Sequence, residues 1–199
     1  MQGYSHDGNN VGWGIYCGNY MGLTENTDDV RKYYGGARFS ANASNNTFLA
    51  LLNDTAYPFD YFTDIVVCGG YNDHSYSESD ILNGISAFIT RAKTKYPNAK
   101  IHIGCVAYNK EGNGEGAEPN WETYRSQIIN MVIPTYQKCV EYGAHYLNNV
   151  EYWLGESGLT PSDGYHPSEA GNRSIARALA NALLTGSAPL PYNGSLRVS

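Results

Sequence analysis

Three short apolar runs are spaced along the chain at the intervals expected of buried strands. The clearest covers residues 63–70, which are rich in β-branched residues and end at two glycines. Residues 99–107 form a second run, and residues 144–147 begin a third. Because the apolar positions of residues 63–70 are continuous rather than alternating, this run is typical of a parallel strand buried on both faces. A further short strand is predicted at residues 29–34.

The segments around these runs carry apolar residues at helical spacing. The clearest helix covers residues 77–96, which begin with a Ser77–Asp80 capping pattern and end before Pro97. Its apolar stripe consists of Ile81, Ile85, Phe88, Ile89 and Ala92. Further helical segments are predicted at residues 12–23, 46–52, 121–142 and 168–184. We expect Pro134 to interrupt the helix at 121–142, and Gly143 to end it.

Strands and helices therefore alternate along most of the chain. This order predicts a three-layer α/β domain with a parallel sheet and right-handed crossovers. We place the domain at residues 1–185, followed by a tail rich in Pro, Gly and Ser at residues 186–199. In such sheets the active groups lie just beyond the carboxyl ends of the strands. Candidate chemistry is therefore expected where the apolar runs end.

Composition and charge exclude several classes of protein. The 199 residues suffice for one domain with a sizeable core, and the net charge of -6 without a basic cluster argues against a nucleic-acid partner. No apolar run is long enough to span a bilayer, and the first residues do not form a signal peptide. We expect no nucleotide cofactor, because neither a GxGxxG nor a P-loop pattern occurs.

The cysteines and histidines do not predict a metal site. The four cysteines lack CxxC spacing, and Cys68 and Cys105 lie in strand-like runs, where a buried thiol is expected. Four of the five histidines also lack ligand spacing with Cys, Asp or Glu: His6, His74, His102 and His145. We expect His102 to alternate within a strand. His74 either lines a pocket or, in the interpretation that we favour, lies in a solvated loop.

Two polar segments lie where catalytic groups are expected. Gly70-Tyr71-Asn72-Asp73 follows the first buried run, and Asp163-Gly164-Tyr165-His166 precedes the last helix. An Asp three residues ahead of a His can hold one imidazole nitrogen, which leaves the other to act as a base. The Asn72 amide can donate to a developing oxyanion. Each segment alone also fits ordinary turn chemistry, but their joint position at strand ends favours an active site.

These motifs resemble the G-x-N-D and D-x-x-H blocks of the SGNH (GDSL-like) hydrolase family. The resemblance covers nearly the whole chain and is closest to a branch found in Gram-positive bacteria and their phages. It implies a flavodoxin-like parallel sheet, with His166 as the general base, Asp163 as its orienting partner and Asn72 as an oxyanion donor. A second donor in the family is a backbone N–H in an earlier loop, for which Gly36 and Arg38 are the alternatives.

The nucleophile is the main departure from the family, whose first strand ends in G-D-S. Only four residues precede Ser5, too few for a strand of about five residues. In one interpretation Ser5 is the nucleophile of a degenerate motif. In the other, which we favour, residues 3–13 resemble the loop after that motif, so the serine lies upstream of Met1 and the first strand is missing. The second interpretation predicts a poorly stable chain, because the missing strand exposes its neighbours.

The resemblance implies a serine esterase without a metal or cofactor. Its expected substrates are short acyl esters, and O-acetyl groups on carbohydrate are the favoured choice. The rival hypothesis is a non-catalytic module of the same fold that binds cell-surface sugar or forms part of a phage tail. The two differ in the nucleophile, which only the enzyme retains.

Overall fold

A computed structural model of the chain describes residues 13–24, 36–42, 46–53, 62–105, 121–147 and 169–185. Its helices are α1 (Trp13–Tyr20), α2 (Phe48–Asn53), α3 (Glu78–Lys95), α4 (Trp121–Tyr142) and α5 (Glu169–Thr185). Its strands are β1 (Asp64–Gly69), β2 (Lys100–Cys105) and β3 (His145–Tyr146), and a 3-10 turn covers Tyr71–Asp73. These elements confirm the predicted strands and helices in their order. The strand predicted at 29–34 and the tail at 186–199 lie outside the described residues.

The three strands form one parallel sheet in the order β1-β2-β3. Val66 lies opposite His102, and His102 lies opposite His145. The ladder extends one residue beyond β3, because the Leu147 N–H donates to the Ile103 carbonyl over 2.7 Å. All three strands therefore direct their carboxyl ends to the same edge of the sheet.

Alternate strand residues face two separate helical layers. One face contributes to a core with α2, α3 and α4, and its strand residues are Ile65, Val67, Ile101, Ile103 and Tyr146. The other face packs against α1 and α5 through Val66, Cys68 and Leu147. Helices thus pack on both sides of the strands, which confirms the three-layer α/β/α architecture. Ile65, Val66 and Val67 of β1 are only half-buried, so the expectation of a strand buried on both faces holds in part. Cys68 is buried as expected, whereas the Cys105 side chain lies outside the described residues.

The helix ends follow local sequence rules. The Ser77 hydroxyl accepts the Asp80 N–H at 3.2 Å and caps α3. Gly22 and Gly143 have positive φ angles of 73° and 65°, and they end α1 and α4 in the same way. In each case the next residue donates its N–H to a carbonyl five residues back, Leu23 to Gly18 and Ala144 to Cys139.

The expectation that Pro134 interrupts the fourth helix is wrong. Helix α4 continues from Trp121 through Tyr142 with the proline inside it. A proline removes one intrahelical hydrogen bond. The turns on both sides are held by buried residues, Met131 and Val132 before it and Thr135 and Cys139 after it. Packing therefore outweighs the local preference to end the helix. No helix among the described residues is long and apolar enough to cross a membrane.

A polar cluster lies on the α1–α5 face at the amino ends of the strands. His102 is buried, as expected for an alternating strand position, and its Nε2 lies 2.7 Å from Asp64 Oδ1. The His145 ring stacks on the His102 ring with centroids 5.1 Å apart. Burial lowers the pKa of His102, since desolvation outweighs the hydrogen bond and the charge of Asp64. The contact is therefore a hydrogen bond to a neutral imidazole rather than an ion pair at neutral pH.

The lowered pKa of His102 predicts a loss of stability in mild acid. Below the ordinary histidine pKa of about 6.5 the unfolded chain takes up a proton that the buried ring resists, so unfolding becomes more favourable as pH falls. We expect the melting temperature to fall between pH 7 and pH 5, and we expect His102→Gln to reduce that fall. Melting curves that shift equally with pH in both proteins would contradict this account.

Candidate active site

The chain turns sharply at the carboxyl end of β1. Gly70 has a φ of 120°, a conformation that residues with a side chain rarely adopt, and the 3-10 turn follows at once. The Asp73 N–H closes this turn on the Gly70 carbonyl over 3.1 Å. Asn72 is half-buried within it. The turn thus holds Asn72 just beyond the strand, where ligands bind in sheets of this kind.

A second segment, residues 36–42, lies against this turn. The Asn72 Nδ2 donates to the Ala37 carbonyl over 3.3 Å, and the Arg38 Nε donates to the Asn72 carbonyl over 3.1 Å. The Arg38 guanidinium also lies 5.7 Å from the centre of the Tyr76 ring. The structure therefore brings together Asn72 and the segment that contains Gly36.

The Asp73 carboxylate holds the second segment through two hydrogen bonds to its backbone. Its two carboxylate oxygens accept the Phe39 N–H at 3.0 Å and the Ser40 N–H at 2.8 Å, and the residue is 1% exposed. Burial raises the pKa of Asp73 despite these two hydrogen bonds and the charges of Arg38 and His74. Of this motif, the sequence predicts a functional role for Asn72 only. The adjacent acid in the same motif was the available signal for this positioning role.

The hydrogen bonds of residues 36–42 distinguish the two alternatives for the backbone donor, Gly36 and Arg38. The Arg38 N–H donates to the Asn46 carbonyl over 3.0 Å, and its carbonyl accepts the Phe48 N–H over 3.0 Å. Phe39 and Ser40 donate to Asp73, as described above. For the Gly36 N–H, no hydrogen bond is found within the described residues, and its φ of 76° suits a glycine.

Helix α3 supports the same segment through a glycine. A Cβ placed on Gly84 would lie 1.6 Å from the Phe39 carbonyl oxygen and 3.0 Å from the Ala41 nitrogen. The Ala41 N–H donates to the Asp80 carbonyl over 3.2 Å, and the Asn42 Nδ2 donates to Asp80 Oδ1 over 2.6 Å. The segment therefore rests directly on the helix backbone, with no side chain between them.

The other predicted site residues lie outside the described part of the chain. These are Ser5, Asp163 and His166, so their proximity to Asn72 stays a prediction. Helix α5 starts three residues after His166, and its first residue is tied to α1: Tyr16 Oη donates to Glu169 Oε1 over 3.1 Å. Arg173 donates to the same oxygen and lies 4.2 Å from the centre of the Tyr16 ring. Within the described ranges, His, Cys, Asp and Glu form no group that could hold a metal ion.

Replacing Asp73 by Asn tests its role as a clamp, by which we mean that its carboxylate holds the Phe39 and Ser40 N–H groups. The substitution turns one of two buried acceptors into a donor that faces a backbone N–H, so one N–H loses its partner. We expect a loss of about 1–3 kcal/mol in the free energy of unfolding, measured by urea denaturation. Glu141→Gln removes the same charge from an exposed position and is expected to change stability by only a few tenths of a kcal/mol, as is usual for a surface ion pair. Equal losses in the two variants would contradict the clamp.

The comparisons with known proteins rest on structure. No protein-family model and no curated protein sequence matches the chain. Among solved structures, the chain is similar to the M. smegmatis aryl esterase, with a TM-score of 0.65 and 16% identity over 88% of this chain and 85% of that chain. It is also similar to a carbohydrate acetylesterase from Sinorhizobium meliloti, with a TM-score of 0.62 and 14% identity over 88% of this chain and 85% of that chain.

A protein from Lactobacillus plantarum is a third similar structure, with a TM-score of 0.54 and 18% identity over 77% of this chain and 79% of that chain. Identities this low establish the fold and nothing finer. The chain has the three-layer α/β/α fold of the SGNH hydrolases. The carboxyl edge of β1, with Asn72 and the segment that contains Gly36, is the candidate active site within that fold.

Proposed function

We propose that the protein is a serine ester hydrolase of the SGNH type, acting on short acyl esters. The observation that carries this proposal is the junction between Asn72 and residues 36–42 at the carboxyl edge of β1. A primary amide has two N–H donors. In Asn72 one of them is directed to the Ala37 carbonyl, which orients the amide and leaves the second donor for an oxyanion. The Gly36 N–H, which lies in the same segment as Ala37, supplies the second contact.

The remaining roles follow the family resemblance. A serine hydroxyl attacks the ester carbonyl while His166 accepts its proton and Asp163 stabilises the imidazolium. The tetrahedral oxyanion is held by Asn72 and Gly36. It collapses to an acyl-enzyme and releases the alcohol, which takes the proton from His166. Water then attacks the acyl-enzyme by the same route, which regenerates the serine and releases the acid.

Two further observations support this assignment. The occupied N–H of Arg38 favours Gly36 as the backbone donor. Similar folds are found in an aryl esterase and in a carbohydrate acetylesterase, although a shared fold alone does not transfer activity. We also propose that the protein belongs to the branch of the family found in Gram-positive bacteria and their phages. Ser5 and a serine upstream of Met1 are the two candidate nucleophiles.

Hydrolysis of nitrophenyl butyrate tests the proposed function, measured for the 199-residue protein and for a longer version that includes the upstream codons. We expect turnover that His166→Ala lowers by about a thousandfold or more, because the variant lacks a base for both steps. His145→Ala is the matched control, since this histidine lies at the amino end of β3, away from the candidate site. Turnover that survives His166→Ala unchanged would contradict the mechanism.

A further inference from the structure

A cavity of about 200 Å³ opens beside the turn that contains Asn72. Gly70 and Asp73, which bracket Asn72 in the turn, form one part of its wall. The wall continues across α3 and α4, so the cavity lies between these helices and the carboxyl end of β1. It therefore adjoins the turn that holds Asn72, beside which an ester carbonyl would bind under the proposed function.

The interior of the cavity is mostly apolar, but it also contains two buried polar residues, Asp73 and Thr135. The Asp73 carboxylate accepts the Phe39 and Ser40 N–H groups, whereas no partner is found for the Thr135 hydroxyl within the described residues. The apolar walls are formed by Phe39, Ile81, Ile85 and Met131, all of which are at least nine-tenths buried. Glu78 and Asn130 are exposed and stand at the rim. His74 also lines the cavity and is half-buried, which agrees with the alternative of a pocket-lining histidine rather than with the favoured solvated loop. Apolar walls disfavour a charged group, because a buried charge without a partner is costly.

The volume sets the size of the group that fits. An apolar cavity of about 150 Å³ accepts a six-carbon ring such as benzene. The cavity beside Asn72 is somewhat larger, and the single methyl of an acetyl group would leave most of it empty. A chain of about four to six carbons would bury several methylene groups against its walls, and each buried methylene favours binding.

We infer that this cavity is the acyl-binding subsite and that it selects uncharged acyl groups of about four to six carbons over acetyl. This inference rests on the proposed function. It also differs from the sequence-based preference for O-acetyl groups, because that preference took no account of the space beside Asn72.

A series of nitrophenyl esters tests the inference, with acetate, butyrate, hexanoate and decanoate as acyl groups. We expect kcat/KM to rise about tenfold from acetate to butyrate, to remain high for hexanoate and to fall for decanoate, which exceeds the cavity. Asn130→Trp places a large side chain at the rim, where exposure limits its cost to stability. It is expected to lower kcat/KM for hexanoate by about tenfold while acetate stays within about twofold.

Gln137→Trp is the matched control, since Gln137 is exposed on the same helix and lies outside the cavity wall. It is expected to change neither ester. A preference for acetate, or an Asn130→Trp effect of equal size on every ester, would overturn the inference and leave the proposed function intact.

If neither the 199-residue protein nor the version with the upstream codons hydrolyses any ester, the proposed function fails. Binding of hexanamide, followed by ligand-observed NMR, then tests the subsite by itself. Binding that is lost in Asn130→Trp and kept in Gln137→Trp would support the cavity as a site for such chains. Absence of binding to the unmodified protein would overturn it.

Discussion

Gly84→Ala is expected to be the most damaging single substitution in the described part of the chain. The added methyl would lie 1.6 Å from the Phe39 carbonyl oxygen, and the atoms around it belong to backbone that cannot rotate away. Helix α3 and residues 39–41 would have to separate, which breaks the contacts that hold residues 36–42 in place. We expect a loss of about 3 kcal/mol or more in the free energy of unfolding, measured by urea denaturation.

Gly14→Ala is the matched control for this prediction. Gly14 is also a helical glycine, but a Cβ placed there would meet nothing within 4 Å. The better helix propensity of Ala is expected to raise stability by about 0.5–1 kcal/mol. A Gly84→Ala variant as stable as the parent protein would show that α3 does not lie directly against the segment.

Asn72→Ala is expected to have the largest effect on catalysis among the described residues. Removing one side-chain donor from an oxyanion hole typically lowers kcat by about 10²–10³-fold. KM is expected to change little, because the donor binds the transition state more strongly than the substrate. Loss of the hydrogen bond to Ala37 adds a stability cost of only about 1 kcal/mol. Steady-state kinetics on nitrophenyl butyrate separates the kcat effect from any loss of folded protein, which a melting curve reports.

Two further variants test Asn72. Asn72→Asp keeps the shape but replaces the donor with a carboxylate, which would repel an oxyanion, so its kcat should fall at least as far as that of Asn72→Ala. Asn83→Ala is the matched control on the exposed face of α3 and should leave kcat unchanged. A loss confined to KM in Asn72→Ala would assign the residue to substrate binding instead.

The sequence predicts those features that depend on neighbours in the chain. The apolar stripe from Ile81 to Ala92 and the Ser77 cap define α3, and the glycines after α1 and α4 end those helices. The position of Asn72 follows in the same way, because a buried strand that ends in two glycines places the next residues at the edge of the sheet. Each of these signals lies within a few residues of the feature it predicts.

The features that the sequence does not predict depend on contacts between distant segments. Gly84 is one of several glycines within helices. It is indispensable to the packing only because the backbone of Phe39, which lies 45 residues earlier in the sequence, packs directly against it. The sequence around Asp73 predicts an ordinary turn residue. In the structure its carboxylate accepts two N–H groups from residues 39 and 40. Pro134 shows the converse, because buried neighbours keep α4 helical where the local rule predicts a break.

Labelling with a fluorophosphonate probe, read by intact mass and peptide mapping, tests the central claim most directly, because the probe requires an activated serine. The 199-residue protein is compared with His166→Ala and with a longer version that includes the upstream codons. We predict that one serine is labelled and that His166→Ala abolishes the label. A label on Ser5 would make this chain the enzyme, whereas a label on an upstream serine would place the nucleophile before Met1. Absence of label from every folded form would contradict the esterase and favour a non-catalytic binding module of the same fold.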